Sequence, residues 1–181
     1  MTGFETARLT VREWTDRPAD LDRLFDMYSR WEVTRWLGHL RALGAPAQAA
    51  ELLRSWRVRN AAGPPPLGIW AVRLRSTGVV VGTVLLKHLV PSDGSPARAG
   101  GPAPVEVGWH LHPDSWGRGY ATEAARGAVR RAFAAGLPEV YAVVHPANTT
   151  SLAVARRLGM VPLGRTDEWY NQHLASFVSR P

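Results

Sequence analysis

The sequence contains no cysteine. This absence excludes disulfide-stabilised folds, catalysis by a thiolate and zinc sites with cysteine ligands. No apolar run approaches the roughly 18 residues that span a bilayer, and the polar start Met1 to Thr6 lacks the basic and apolar regions of a signal peptide. We therefore expect a cytoplasmic protein that does not bind membranes.

Lysine is almost absent, because Lys87 is the only lysine among the 22 basic residues. The formal charge is +7, but the arginines are scattered with no run of three, and acidic residues lie among them. This pattern is typical of a solvated surface and disfavours a dedicated nucleic-acid face, although a smaller polyanion stays open as a ligand. A chain of this length can bury roughly 70% of the surface that it exposes when unfolded. We expect one domain over residues 1–181.

Short alternating runs and longer helical spacings share the chain, which predicts a mixed α/β domain built on one sheet. No regular structure is predicted for residues 31–43 or 91–104. In chain order we expect a strand over 9–14, helices from Pro18 and over 46–60, strands over 67–74, 78–89 and 105–111, a helix over 119–135, a strand over 140–144, a helix over 148–158, and strands over 161–165 and 174–178.

A glycine-containing turn is the clearest chemical motif. Residues 115–123 read Ser-Trp-Gly-Arg-Gly-Tyr-Ala-Thr-Glu, directly after a predicted strand and at the start of a predicted helix. The free N–H groups of a first helical turn attract anions, and glycines let a phosphate approach the backbone. The turn lacks the third glycine of a dinucleotide fingerprint and the Gly-Lys-Ser/Thr of a P-loop. An anion site and an ordinary tight turn are both compatible with the residues alone.

At this turn the sequence resembles the GNAT superfamily of acyl-CoA-dependent N-acyltransferases, whose pyrophosphate loop follows the pattern Arg/Gln-x-x-Gly-x-Gly/Ala. Trp116, Gly119 and Ala121 occupy the three defined positions, and Trp116 departs from the pattern. The longer string Trp-Gly-Arg-Gly-Tyr-Ala-Thr-Glu-Ala is similar to the branch that acetylates ribosomal-protein N-termini, such as N-terminal alanine. The segments 6–12 and 148–160 are similar to that branch as well.

The resemblance implies the GNAT fold, with a single mixed sheet, flanking helices and a central strand pair that splays, here 105–111 and 140–144. It also implies acetyl-CoA as co-substrate. Pantetheine would pair with backbone groups of Trp109 and Leu111, and the turn would hold the pyrophosphate. The implied cofactor-binding residues are Trp109, Leu111, Trp116, Gly117, Arg118, Gly119, Tyr120, Ala121, Thr122, Asn148 and Ser151. Asn148 is also a preferred helix N-cap residue, and the two roles are compatible.

Two catalytic residues are candidates. Related enzymes place a tyrosine acid at the position of Ala155, which cannot donate a proton, and the ribosomal branch suggests Ser151 as its substitute. The alternative is that the Ser151 hydroxyl only completes a helix cap. Glu106 is the candidate base, acting directly or through a water, although strict alternation puts it on the strand face opposite Trp109 and Leu111 unless a bulge intervenes. The alternative is that Glu106 is a surface or structural carboxylate.

Other polar and aromatic residues are weaker candidates. His110 and His112 share the strand face of Glu106 and are expected to flank the cofactor, but no third ligand has metal-site spacing, so no metal site is predicted. Glu123 is expected to be structural at a helix N-terminus. Core packing and the lining of an acceptor pocket are alternatives for a set of aromatic residues, namely Trp31, Trp36, Trp56, Trp169 and Tyr170.

The predicted activity is transfer of an acetyl group from acetyl-CoA to a primary amine in a ternary complex. By resemblance the acceptor is the N-terminal α-amine of a protein or peptide. The alternatives are a small-molecule amine such as a polyamine or an aminoglycoside, a non-catalytic CoA-binding regulatory module, and a basic nucleic-acid binder. The sequence does not fix the oligomeric state, and a homodimer is compatible with it.

Overall fold

The computed structural model describes residues 3–38, 41–95 and 103–181. Within these ranges every predicted helix and strand is present, and the bounds differ from the prediction by a few residues. The elements are β1 (Phe4–Glu5), β2 (Leu9–Glu13), α1 (Pro18–Ser29), α2 (Trp31–Thr34), α3 (Pro46–Ala62), β3 (Gly68–Leu74), β4 (Val80–His88), β5 (Val105–Leu111), a 3₁₀ turn (Pro113–Ser115), α4 (Tyr120–Ala134), β6 (Val140–Val144), α5 (Thr149–Arg157), β7 (Val161–Thr166) and β8 (Leu174–Ser179).

One mixed sheet joins the strands in the order β1-β2-β3-β4-β5-β6-β8-β7. Neighbouring strands are antiparallel except β5 and β6, which are parallel. The β4–β5 ladder is unbroken from Gly82 opposite Leu111 to His88 opposite Val105. In contrast, β5 and β6 have one registered pair, Glu106 with Tyr141, so the two strands separate beyond it, as predicted.

Helices cover both faces of the sheet, because adjacent residues of a buried strand point to opposite sides. Helix α4 packs with its alanine-rich stripe on the face that carries Trp70 and Val107. Helices α1 and α3 cover the other face, where Tyr28, Leu53 and Ala71 form a second buried cluster. On that second face the β7–β8 connection lies over β6, through Trp169 and its neighbours. On this face Glu106 contacts Tyr170 of the connection and His110 contacts Tyr28 of α1, while Gly108 and His110 are only partly buried. We call this surface of β5 the groove.

Short elements were not predicted. The two-residue strand β1 and the four-residue helix α2 carry too few positions for a periodic signal. The predicted loop 91–104 and the unassigned segment 31–43 fall partly outside the described residues, at 96–102 and 39–40. In the ranges described, no helix combines the length and apolar content needed to cross a membrane.

Candidate active site

The glycine turn has the backbone shape that the motif requires. Gly117 and Gly119 have φ angles of +74° and +78°, a left-handed region that side chains disfavour. Gly119 is the N-cap of α4, so the helix begins at Tyr120 and not at the predicted Gly119. A Cβ on Gly117 would meet nothing within 4 Å, and one on Gly119 would meet only the Arg8 guanidinium, at 3.5 Å. The space in front of the turn is therefore open.

The backbone donors of this turn are unused. The first helical bond runs from the Glu123 N–H to the Gly119 carbonyl, and no described residue accepts a hydrogen bond from the N–H groups of residues 117–122. The Thr122 side chain is 8% exposed, and its hydroxyl also has no partner. The buried Thr122 hydroxyl is costly while it lacks a partner, whereas residues 117–119 are exposed and offer their amides directly to a ligand. These groups, together with the positive end of α4, fit an anion such as a pyrophosphate.

Trp116 differs from the residues that follow it. Its backbone N–H donates to the Pro113 carbonyl at 3.2 Å, and its indole N–H donates to the Leu111 carbonyl at 2.8 Å. Although the resemblance places Trp116 among the cofactor-binding residues, its own donors are engaged within the protein. Trp116 instead ties the turn to the end of β5, and the free amides begin at Gly117.

Arg8 lies beside the turn; it was not singled out from the sequence, although it belongs to the 6–12 motif. Its guanidinium forms an ion pair of 2.6 Å with Glu123 and donates to the Arg118 carbonyl at 3.1 Å. Burial raises the pKa of the Glu123 carboxyl, but hydrogen bonds from Thr6 and Arg8 outweigh burial and hold that pKa below its usual value. Glu123 thus has the structural role expected for it and fixes a cation beside the turn.

The gap between β5 and β6 presents unpaired backbone groups. The His112 N–H donates to the Val81 carbonyl of β4 at 3.0 Å. The β4–β5 ladder ends at the pair Gly82 and Leu111. Because alternate residues of a strand direct their N–H groups to the same side, the N–H groups of Trp109 and Leu111 point away from β4 and towards the gap. The side chains of both residues pack into the protein, as expected for Leu111.

Helix α5 begins beside the same gap. Asn148 is its N-cap, and Asn148 Oδ1 accepts from the Ser151 N–H at 3.1 Å and from the Thr150 hydroxyl at 2.9 Å. The hydroxyl that takes part in the cap is therefore that of Thr150. The half-buried Ser151 hydroxyl makes no hydrogen bond to a described residue. Ala155 is fully buried in the core.

Glu106 lies on the α1 side of the sheet, as alternation requires, because the β4–β5 register has no bulge. Its side chain is 8% exposed; Oε1 lies 3.3 Å from Lys87 Nζ and accepts a hydrogen bond from the Tyr170 hydroxyl. Burial raises the pKa of the Glu106 carboxyl, and the Lys87 charge and the Tyr170 hydrogen bond oppose that rise only in part. No described residue donates to Oε2. The arrangement can accept a proton at Oε2 while Oε1 stays anchored.

The two histidines have different surroundings. His110 shares the face of Glu106, and its Nδ1 lies 2.9 Å from the buried Tyr28 hydroxyl, which also donates to Thr83 at 3.0 Å. His112 is 5% exposed, and its Nε2 lies 2.9 Å from Asp26 Oδ2 on α1. Neither joins a metal site, since no three histidine or acidic side chains in the described ranges come together to hold an ion.

The groove over β5 and β6 is bounded by two contacts that the sequence did not predict. The Trp36 ring packs against His145, which follows β6, with ring centroids 5.4 Å apart. Gly38 lies against the side chain of Gln172 in the β7–β8 connection, where a Cβ would overlap the Gln172 amide. The segment after α1 and the β7–β8 connection thus meet near the open end of the strand gap.

The aromatic candidates divide between this groove and the core. Trp36 and Tyr170 border the groove: the Trp36 ring packs against His145, and the Tyr170 hydroxyl donates to Glu106. Trp56 packs on Tyr28 with ring centroids 5.6 Å apart, and Trp169 belongs to the buried cluster over β6. Trp31 is 65% exposed.

Comparisons with known proteins agree with this geometry. A family model described as an acetyltransferase (GNAT) domain matches residues 8–161. The uncharacterized N-acetyltransferase YoaA of Bacillus subtilis (strain 168) is 29% identical over 172 residues, which cover 94% of this chain and 89% of that protein.

Solved structures share the fold. An acetyltransferase from Salmonella typhimurium, described as modifying the N-terminal serine of ribosomal protein L7/L12, is 10% identical with a TM-score of 0.74, covering 97% of this chain and 96% of that one. The microcin C7 self-immunity acetyltransferase MccE, solved with acetyl-CoA and AMP, is 12% identical with a TM-score of 0.74, covering 97% and 94%. The predicted family and mixed α/β fold are confirmed. The chain belongs to the GNAT acetyltransferases and is an N-acetyltransferase whose co-substrate is acetyl-CoA.

Proposed function

We propose that the acceptor is the N-terminal α-amine of a protein or peptide and that Glu106 is the base that removes its proton. The observation that carries this proposal is the environment of Glu106. Its carboxyl is buried on the groove side of β5, has a raised pKa, and has an oxygen to which no described residue donates. The groove borders the strand gap, so a bound amine there lies beside β5.

The strength of this base suits an α-amine. An α-amine has a pKa of about 7.7 to 8.0, whereas a lysine side chain has a pKa near 10.4. Moving a proton to one carboxylate is thus easier from the α-amine by roughly 3.5 kcal/mol, at about 1.36 kcal/mol per pKa unit. A single carboxylate, even with a raised pKa, suffices for an amine that is already neutral roughly one time in ten at pH 7.

Acetyl-CoA supplies the acetyl group as an activated thioester. We propose that the N–H groups of residues 117–122 hold its pyrophosphate, with the unpaired Thr122 hydroxyl and the Arg118 charge as further ligands. The N–H groups of Trp109 and Leu111 that face the gap would pair with pantetheine, with Asn148 bordering them. These chain groups act mainly by positioning and by polarising the reacting carbonyl.

Ser151 is the proposed acid that returns a proton to the departing sulfur. It lies in the first turn of α5, beside the gap, and its hydroxyl is not used by the helix cap. Ala155 leaves no other hydroxyl at the position where related enzymes place an acid.

The test is an acceptor panel with acetyl-CoA, read by thiol release and by mass spectrometry of the product. We expect a peptide with a free N-terminus and an internal lysine to gain one acetyl group on its α-amine, and the same peptide with a blocked N-terminus to gain none. Acetylation of the lysine side chain, or turnover only with polyamines or amino sugars, would overturn the proposed acceptor.

A further inference from the structure

Arg35 is held between two indole rings directly after α2. Its guanidinium carbon lies 4.4 Å from the Trp31 ring centroid and 4.3 Å from the Trp36 ring centroid. A guanidinium stacked on aromatic faces keeps the N–H groups at its edge available for hydrogen bonds in its own plane. The stack thus fixes the orientation of a cation without using its donors.

No carboxylate of the chain neutralises this cation. All the acidic residues lie within the described ranges, and none forms an ion pair with Arg35. The neighbouring Arg30 is different, since it pairs with Asp26 at 2.7 Å and lies 4.0 Å from Glu32. Several other arginines lack an ion partner, but Arg35 is distinguished by two stacked rings, one of which, Trp31, is 65% exposed. Tryptophan and arginine are enriched among the residues that contribute most of the binding energy at interfaces.

The stack of Trp31, Arg35 and Trp36 lies beside the groove. Trp36, one of its two rings, also packs against His145 at the end of β6, and Gly38, shortly after it, contacts Gln172 of the β7–β8 connection. Strands β5 and β6 separate beyond the Glu106–Tyr141 pair, towards the end of β6 that His145 follows. The turn with the free amides lies instead at the N-terminus of α4, which packs on the opposite face of the sheet.

We propose that Arg35 binds a carboxylate of the acceptor, so that the enzyme prefers amines whose neighbouring groups are acidic. This inference rests on the proposed function in placing the acceptor in this groove. The arginine guanidinium donates two parallel hydrogen bonds to a carboxylate, which fixes the orientation of the carboxylate as well as pairing its charge. For a peptide acceptor the carboxylate belongs to an acidic residue close to the N-terminus; for a free amino acid it is the side-chain carboxylate of glutamate, which glutamine lacks.

The experiment compares kcat/KM for peptides that begin with serine followed by two glutamates or by two glutamines, and for free glutamate and glutamine. A hydrogen bond to a charged group corresponds to a preference of roughly tenfold to a hundredfold. We expect the wild-type enzyme to favour the acidic peptide by this factor, through KM, and Arg35→Gln to reduce the ratio to about one. Arg35→Lys keeps the charge without the fork and should retain only part of the preference.

Arg54→Gln is the matched control, because it removes one exposed arginine that has no ion partner on α3, and it should keep the wild-type ratio. All variants should keep the wild-type KM for acetyl-CoA and the wild-type melting temperature. An unchanged acidic preference in Arg35→Gln, or a raised KM for acetyl-CoA instead of the acceptor, would overturn the proposal. A preference for free glutamate over glutamine that depends on Arg35, without one among the peptides, assigns the carboxylate to a small acceptor.

A direct binding measurement distinguishes failure of the proposed function from failure of the carboxylate site at Arg35. If neither peptide is acetylated, calorimetric titration with the N-acetylated acidic peptide separates the two outcomes. Binding that is lost in Arg35→Gln supports the carboxylate site although the peptide acceptor is wrong; no difference between the two proteins overturns the carboxylate site as well. Peptides acetylated at the N-terminus with equal efficiency support the proposed function and contradict the role of Arg35.

Discussion

The Tyr170 hydroxyl donates a hydrogen bond to Glu106 Oε1 across 64 positions of sequence. Lys87 approaches the same oxygen and lies 4.8 Å from the centre of the Tyr170 ring. Two elements far apart in the chain thereby hold one carboxylate at the edge of the acceptor groove. Both contacts favour the charged form of a group that burial would otherwise keep protonated.

Replacement of Glu106 tests the proposed base. Wild-type kcat/KM should fall as the pH drops through the pKa of Glu106, which burial raises, so activity is lost at a higher pH than an exposed glutamate would give. Glu106→Gln should lower kcat by about 10² to 10⁴-fold and abolish this acidic limb, leaving only the titration of the amine. The measurement is a pH profile of kcat/KM. Glu51→Gln, an exposed carboxylate on α3, is the control and should keep the wild-type profile; an acidic limb that persists in Glu106→Gln would assign it to another group.

Removal of the groups that stabilise the Glu106 charge should move the same limb. Tyr170→Phe deletes the hydrogen bond but keeps the ring, and Lys87→Met deletes the opposite charge. Each should raise the pKa of Glu106 further and shift the acidic limb to higher pH, with the larger shift for Lys87→Met. Lys87→Arg keeps a positive charge and should shift the acidic limb less than the other two variants. A shift to lower pH in either deletion would contradict the assignment of the limb to Glu106.

Gly119→Ala tests the turn as a cofactor site. The φ angle of +78° makes a side chain costly there, by about 1 to 2 kcal/mol, and the new Cβ projects towards open space in front of the free amides. We expect KM for acetyl-CoA to rise at least about tenfold, which corresponds to 1.4 kcal/mol.

Gly136→Ala separates backbone strain from loss of binding. Gly136 has a φ angle of +85°, and a Cβ there meets nothing within 4 Å, but it lies after the far end of α4. It should cost similar stability and leave KM for acetyl-CoA unchanged. Equal effects on KM in the two variants would remove the turn from the cofactor site.

Thr122→Val tests whether the unpaired Thr122 hydroxyl binds acetyl-CoA. The variant removes a buried polar group without a partner and nearly keeps its shape, so the ligand-free protein should be as stable or more stable by about 1 kcal/mol. The stabilisation that acetyl-CoA confers on the protein should shrink, because a hydrogen bond to the cofactor is lost. Thermal unfolding with and without acetyl-CoA measures both effects. An undiminished acetyl-CoA effect would exclude this hydroxyl from binding.

Ser151→Ala distinguishes an acid from a capping residue. Asn148 accepts the Ser151 N–H, which alanine retains, so the variant should lower kcat at least about tenfold without lowering the melting temperature. Asn148→Ala removes the cap itself and should cost about 1 kcal/mol of stability. Loss of stability in Ser151→Ala with unchanged kcat would make Ser151 purely structural.

The sequence predicted the helices and strands that show a hydrophobic period and the site residues that are contiguous in the chain. Strand β5 alternates over seven residues and α4 carries an alanine stripe, so each was predictable locally. The free amides of residues 117–122 follow from a single turn and its helix. Alternation also placed Glu106 on the correct face, because nothing interrupts the β4–β5 register.

Contacts between distant segments were not predictable. The meeting of Gly38 with Gln172, and of Arg8 with Glu123, depends on how loops and strand ends pack in three dimensions, which no local period encodes. Helix α2 is too short to show a period, so the Trp31, Arg35 and Trp36 stack was unrecognisable from the sequence.

The chain carries its positive charge almost entirely on arginine, and its one lysine, Lys87, has a side chain only 14% exposed in the ion pair with Glu106. Guanidinium groups do not react with thioesters under mild conditions, so acetyl-CoA meets only one lysine side chain on this chain. Self-acetylation on a lysine side chain is consequently confined to Lys87, where peptide mapping after turnover would locate it.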